Sequence, residues 1–129
     1  MARRLLACAL AAIVVALAAS APAQARRTYC AQSGDYCLGM FKRGGQVFLG
    51  FDTFAFRGSI RLCVTSPNGK RKCVVFKLKR DPHNKHLYRS HIKWSDHYSH
   101  GQKGLYRAVW HYGKARFPEI TFTIGRVTA

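Results

Sequence analysis

The chain has 129 residues, and its 22 lysines and arginines against 5 aspartates and glutamates give a formal net charge of +17 at pH 7. So large an excess opposes compaction through self-repulsion and favours anionic partners, without naming one. The scattered carboxylates, Asp35, Asp52, Asp81, Asp96 and Glu119, offer no visible pair for general acid and base hydrolysis.

The first element in chain order is an export signal over 1–25. Arg3 and Arg4 precede an uncharged apolar run of 15 residues from Leu5 to Ala19. Ser20-Ala21-Pro22 breaks its helix, and Ala23-Gln24-Ala25 supplies a small-x-small cleavage site. The run is short for a bilayer span, so the expectation is a secreted protein with no transmembrane anchor. Leu6-Ala7-Cys8 resembles a lipid-attachment box but precedes the apolar run, and Arg3-Arg4 lacks the rest of a twin-arginine signal. Cleavage after Ala25 leaves 104 residues with a charge of +15, enough for one domain and too few for two. Within them, 26–35 reads as an N-terminal segment held by a disulfide and 36–129 as the folded domain.

Cys8 leaves with the signal, and Cys30, Cys37, Cys63 and Cys73 remain, an even set for an oxidising compartment. No long helical periodicity follows them. Period-two alternation broken by glycine, proline and asparagine predicts seven strands, near 36–42, 46–56, 59–66, 71–80, 87–94, 105–112 and 119–126. Ile60, Leu62 and Val64 point inward, as do Val74, Phe76, Leu78, Ile92, Trp94, Tyr106, Ala108, Trp110, Ile120, Phe122 and Ile124. A slip of one residue would turn any of these sets outward.

Ser66-Pro67-Asn68-Gly69-Lys70 fits a three-residue hairpin loop, with proline first, asparagine second and a left-handed glycine closing it. Centring on Asn68 places Ile60 opposite Phe76, Leu62 opposite Val74, and Cys63 opposite Cys73 on the outward side. This predicts a Cys63–Cys73 bridge and, by elimination, Cys30–Cys37. Closing the 11-residue loop adds roughly 2.5–3 kcal/mol on chain-entropy grounds. No Cys-x-x-Cys pair occurs, so these bridges read as structural.

Seven antiparallel strands in about 100 residues predict an all-β, two-sheet sandwich. Gly104-Leu105-Tyr106-Arg107-Ala108-Val109-Trp110 resembles the sixth strand of immunoglobulin-like and fibronectin-type domains. That resemblance implies a Tyr106 hydroxyl tied back to the preceding loop. Ala108 stands where antibody-type domains carry their second cysteine, and the third strand has no tryptophan. The resemblance is therefore to the architecture, which hosts many functions.

Six histidines stand out: His83, His86, His91, His97, His100 and His111. His83 with His86, and Asp96 with His97 and His100, have ligand-like spacing. Lys85, Arg89, Lys93 and Lys103 crowd the same segments and would repel a dication, so no metal and no cofactor are expected. No Gly-x-Ser-x-Gly, phosphate loop or His-Glu-x-x-His occurs. Lys70, Arg71, Lys72, Lys77, Lys79 and Arg80 fall in eleven residues free of acids. The hairpin register makes Arg61, Lys77 and Lys79 neighbours on one outward face with Lys70, Arg71 and Lys72 at its tip. Such a face suits a polyanion or membrane surface through many salt-sensitive contacts. Exposed aromatics for base stacking are not evident, so no specific nucleic-acid partner is expected. The expectation is a non-catalytic binding module for anionic envelope or extracellular polymers. The alternatives are a structural or accessory protein with incidental charge, a small histidine-dependent nuclease, and a cationic membrane-active protein.

Overall fold

The computed structural model describes residues 27–125. The export signal, its cleavage near Ala25 and the end of the last predicted strand lie outside those residues. Among the described residues the chain forms β1 (Thr28–Cys30), β2 (Tyr36–Arg43), β3 (Gln46–Thr53), β4 (Ser59–Thr65), β5 (Arg71–Lys77), β6 (Lys79–Arg80) and β7 (Tyr88–Lys93). A 3-10 turn at Trp94–Asp96 then leads to β8 (Gly104–Tyr112), β9 (Ala115–Arg116) and β10 (Ile120–Ile124). The strands build two antiparallel sheets, in the orders β1-β2-β3-β7-β6 and β10-β8-β4-β5, with β9 added beside β8.

The fold is the all-β sandwich that the alternation predicts, because each strand has one apolar face and only a second sheet can cover it. Leu38, Leu49, Phe51 and Ile92 of the first sheet meet Ile60, Leu62, Tyr106, Trp110, Ile120 and Phe122 of the second. Val74, Phe76 and Ile124 are only partly buried and flank that core. No helix among the described residues is long and apolar enough to cross a membrane.

The β4–β5 hairpin has the expected register, with Ile60 opposite Phe76, Leu62 opposite Val74 and Cys63 opposite Cys73. The Ser66 amide bonds the Lys70 carbonyl, the Gly69 amide bonds the Ser66 carbonyl, and Gly69 takes φ +86°. Both predicted bridges are present, Cys63–Cys73 and Cys30–Cys37. Cys63 is nevertheless buried although it lies on the outward side, because its neighbour Val109 and the bridge itself cover it.

Three boundaries differ from expectation. The run predicted over 71–80 is two strands in two sheets. At Leu78 the chain crosses: its side chain is buried and its amide bonds Gly58, after which Lys79 and Arg80 pair with β7. Alternation continues unbroken through such a crossing, so period alone does not reveal it. The strand predicted over 46–56 stops at Thr53, whose buried hydroxyl accepts the amides of Ala55 and Phe56 and turns the chain. Thr28–Cys30, within the segment expected to be held by a disulfide, is an edge strand on β2. The Tyr106 hydroxyl donates to the Gln102 carbonyl at 2.7 Å, the tie that its motif implies.

Candidate functional site

The crossing at Leu78 leaves a gap on one side of the sandwich. β6 covers β7 only at Arg89 and Tyr88, so from Ser90 to Lys93 that edge of β7 has no strand beside it. The facing edge of the other sheet is β5. Between them opens a cleft of about 880 Å³, with Phe76, Ser90 and Ile92 in its lining. Lys77 reaches it from β5, Lys79 and Arg80 from β6, and Arg89 and Lys93 from β7. Its two acids already serve cations. Asp81 pairs with Arg89 at 3.0 Å, and Asp96 lies 4.0 Å from Lys93. The amide of His83, and beyond it Arg89 and the amide of Asn84, holds the Asp81 carboxyl below its usual range against the opposing effect of burial. With five cations against two acids the lining carries a net positive charge, and a concavity of that kind focuses potential more than a flat face does.

The predicted basic residues divide among three places. Arg61, Arg71 and Lys77 do share the outward face of the β4–β5 hairpin, since the register sets Thr65 opposite Arg71 and Ser59 opposite Lys77. Lys79 is not on that face, as the sheet switch carries it and Arg80 to β6. Nor does the tip form one group. Lys72 lies opposite Val64, on the inward side, and its ammonium donates to the His97 carbonyl at 2.6 Å. Lys70, Arg71 and Lys72 border a second cleft of about 400 Å³ beside Tyr98. The Tyr98 hydroxyl donates to the Leu62 carbonyl, and burial holds the phenol above its usual range.

On the outer face of the second sheet, His111 sits directly between Arg61 and Arg116. Burial, then the charges of Arg61, Arg71 and Arg116, push its pKa down from 6.5. The unfolded chain therefore binds this proton more readily than the folded one. His111 thus withholds nothing above pH 6.5, and stability falls as pH drops through 6.5 toward the folded value. Urea midpoints should decline between pH 7.5 and 5, and His111→Phe should flatten that decline; an unchanged slope would contradict the assignment.

The outer face of the first sheet is ordered differently, and its register can be read as three rows. Cys30, Cys37, Asp52, Arg89 and Lys79 form one, Phe41, Phe48 and Lys93 another. Between them runs Thr28, Gly39, Gly50 and His91. Two adjacent glycines leave a pit of about 220 Å³ in the middle of the face. Asp52 and the disulfide border one side of it and Phe41 the other. His91 closes the end toward the cationic cleft, and it lines both cavities. Its Nε2 lies 2.7 Å from Asp52 Oδ1, and its ring meets the Phe41 ring edge-on at 5.2 Å.

The other histidines do not converge: among the described residues no three His, Cys, Asp or Glu side chains gather in a metal-binding group. The Asp52–His91 pair escaped the reading of the sequence because it joins β3 to β7 across 39 positions. Glycines at two outward positions of a strand pattern were the available signal, since an isolated strand glycine marks a close approach. Comparison of the chain with family models, with curated proteins and with solved structures finds no match.

Proposed function

We propose that this is a secreted, non-catalytic β-sandwich module that binds anionic envelope or extracellular polymers, and that the cleft between β5 and β7 is where it holds them. The observation that carries this is that five cations from three strands lie in the lining of one concavity, whose two carboxylates are paired with two of those cations. Binding there releases counterions from the polymer, which makes affinity depend steeply on salt. Export is supported by the tripartite segment at 1–25 and by two disulfides, which suit an oxidising compartment. An immunoglobulin-like, fibronectin-type assignment is supported by strand order. β2-β3-β7-β6 over β10-β8-β4-β5 follows the A-B-E-D and G-F-C-C′ arrangement, and the Tyr106 tie sits where such domains carry theirs.

The test is retention of the protein on immobilised anionic polymer across a salt series. The triple variant Lys77→Gln/Lys79→Gln/Lys93→Gln should elute earlier, its log affinity against log salt shallower by about 2 units. Lys114→Gln/Arg116→Gln, on the β8–β9 hairpin, should cost no more than its share of net charge. Losses in the two variants in proportion to the three and two charges removed would mean that charge acts without a site.

A further inference from the structure

The free edge of β5 forms one bank of the cleft, and its main-chain groups are open to solvent. In its hairpin the Ser66 amide bonds the Lys70 carbonyl, and past its end the Leu78 amide bonds the Gly58 carbonyl. Both bonds fall in the register that pairs β4 with β5. Main-chain groups alternate sides along an antiparallel strand, so Lys72, Val74 and Phe76 turn theirs toward β4. Arg71, Cys73, Val75 and Lys77 turn theirs away, and among the described residues no strand lies beyond them. At seven residues this edge is longer than the other sheet ends, β1 with three, β6 with two and β10 with five. Val75 stands 62 % exposed near its centre, the most exposed large apolar side chain among the described residues.

An edge of this kind takes up an extended peptide as a further strand, in which main-chain bonds supply affinity and alternate side chains supply selectivity. Charge selects the partner. Arg71 and Lys77 stand on the strand itself, Arg61 lies beside Val75, and Lys79, Arg80 and Lys93 line the cleft from β6 and β7. β4 and β5 contain no acid. A second copy of β5 would bring its own arginine and lysines against these, so like charge disfavours pairing between copies. An acidic strand meets cations on both banks instead. With its acids on the outward side beside Lys77 and Arg71, its alternate side chains enter the cleft near Phe76 and Ile92, where apolar residues fit. A polyphosphate has acceptors only and cannot match the alternating donors and acceptors of the edge. We propose that β5 receives an extended segment of another polypeptide, alternating acidic and apolar residues, as an added strand at the mouth of the cleft. This rests on the polyanion reading of the cleft and names the polymer class for it.

The experiment compares, at one low salt concentration, two end-capped peptides of alternating glutamate and valine with linear polyphosphate and a sulfated polysaccharide. One peptide is unmodified, and the other is N-methylated at two consecutive central amides. Both have the same charge, but in either strand direction one methyl group falls on the edge that faces β5. The unmodified peptide should bind about tenfold more tightly, the effect of one edge hydrogen bond and its fit. It should also slow hydrogen exchange at the amides of Arg71, Cys73, Val75 and Lys77. Proline is tolerated where an edge amide faces solvent, so Val75→Pro should keep the sheet and cancel the difference between the peptides. The exchange measurement on the unaltered protein keeps the test valid if that variant misfolds. Equal binding of the two peptides, with polyphosphate retained, would overturn strand addition and leave the cleft reading standing. Tighter binding of the polysaccharide than of the unmodified peptide at matched charge would do the same. Slowed exchange confined to strands other than β5 would overturn the edge assigned here. Retention of none of the probes would overturn both readings.

Discussion

Replacing Trp110 by alanine is expected to destabilise the protein by about 3–5 kcal/mol, the range for deleting a fully buried large aromatic side chain. Trp110 has no exposed surface, lies beside Leu62 across the β4–β8 register, and meets Phe51 of the opposite sheet at 5.6 Å and Phe76 at 6.4 Å. It therefore spans the space between the sheets, and the ring cluster of Tyr36, Phe51, Phe56 and Phe117 closes around Phe51 beside it. Its loss opens a cavity that two cross-braced sheets collapse into poorly. The indole contains a second test. Among the described residues Nε1 is buried without a hydrogen-bond partner, and such a donor costs about 1–3 kcal/mol. Trp110→Phe removes that donor along with part of the ring, so it should cost far less than alanine, below about 2 kcal/mol. Urea unfolding followed by far-UV circular dichroism reads both. Similar losses in the two variants would mean that the indole donor finds a partner.

The hairpin from Ser59 to Lys77 was legible in the sequence because three unrelated signals fix one register there. The proline-asparagine-glycine loop sets the centre, alternation sets the face, and a bridge across the strands admits one pairing of Cys63. The inward sets of β4, β8 and β10 were legible for the simpler reason that each has a single apolar face. The crossing at Leu78 was not, since the residues on either side keep the same alternation and what changes is their backbone partner. That partner is Gly58 at the crossing and Arg89 after it, both distant in sequence. β1 and β9, at three and two residues, are too short to show any period.

The same crossing decides how much of the candidate site could be anticipated. The charge run over 70–80 is visible in the sequence, yet as one strand it predicts a flat face with Arg61, Lys77 and Lys79 side by side. The switch instead gives Lys77 to one sheet and Lys79 to the other, and the opening between them admits Arg89 and Lys93. A concave site was thus built from residues whose types were evident and whose grouping depended on a non-local hydrogen bond. Outer-face order was hidden for a related reason. Gly39, Gly50 and His91 line up only once β2, β3 and β7 are in register.

Replacing Cys63 and Cys73 together by alanine should lower stability by roughly 2.5–3 kcal/mol, the chain entropy released by opening that loop. Alanine suits the test better than serine, since Cys63 is only 2 % exposed and a hydroxyl there would be buried without a partner. The urea midpoint should fall by about 1–2 M for a domain of this size. The loss has a functional side as well. β5 is an edge strand held by β4 alone, and its last residues, Val75 to Lys77, form one wall of the cleft. Freed of the bridge, β5 keeps its turn but loses the covalent restraint that pins its register, so the position of Lys77 relative to Lys79 and Lys93 loosens. Retention on anionic polymer should therefore weaken even under conditions where the variant is fully folded. The double alanine variant at Cys30 and Cys37 provides the contrast, because that bridge holds β1 at the far edge of the other sheet. It should disturb the pit beside Asp52 and leave the salt dependence of the cleft unchanged. Identical changes in salt dependence for both variants would show that the cleft does not depend on how β5 is held.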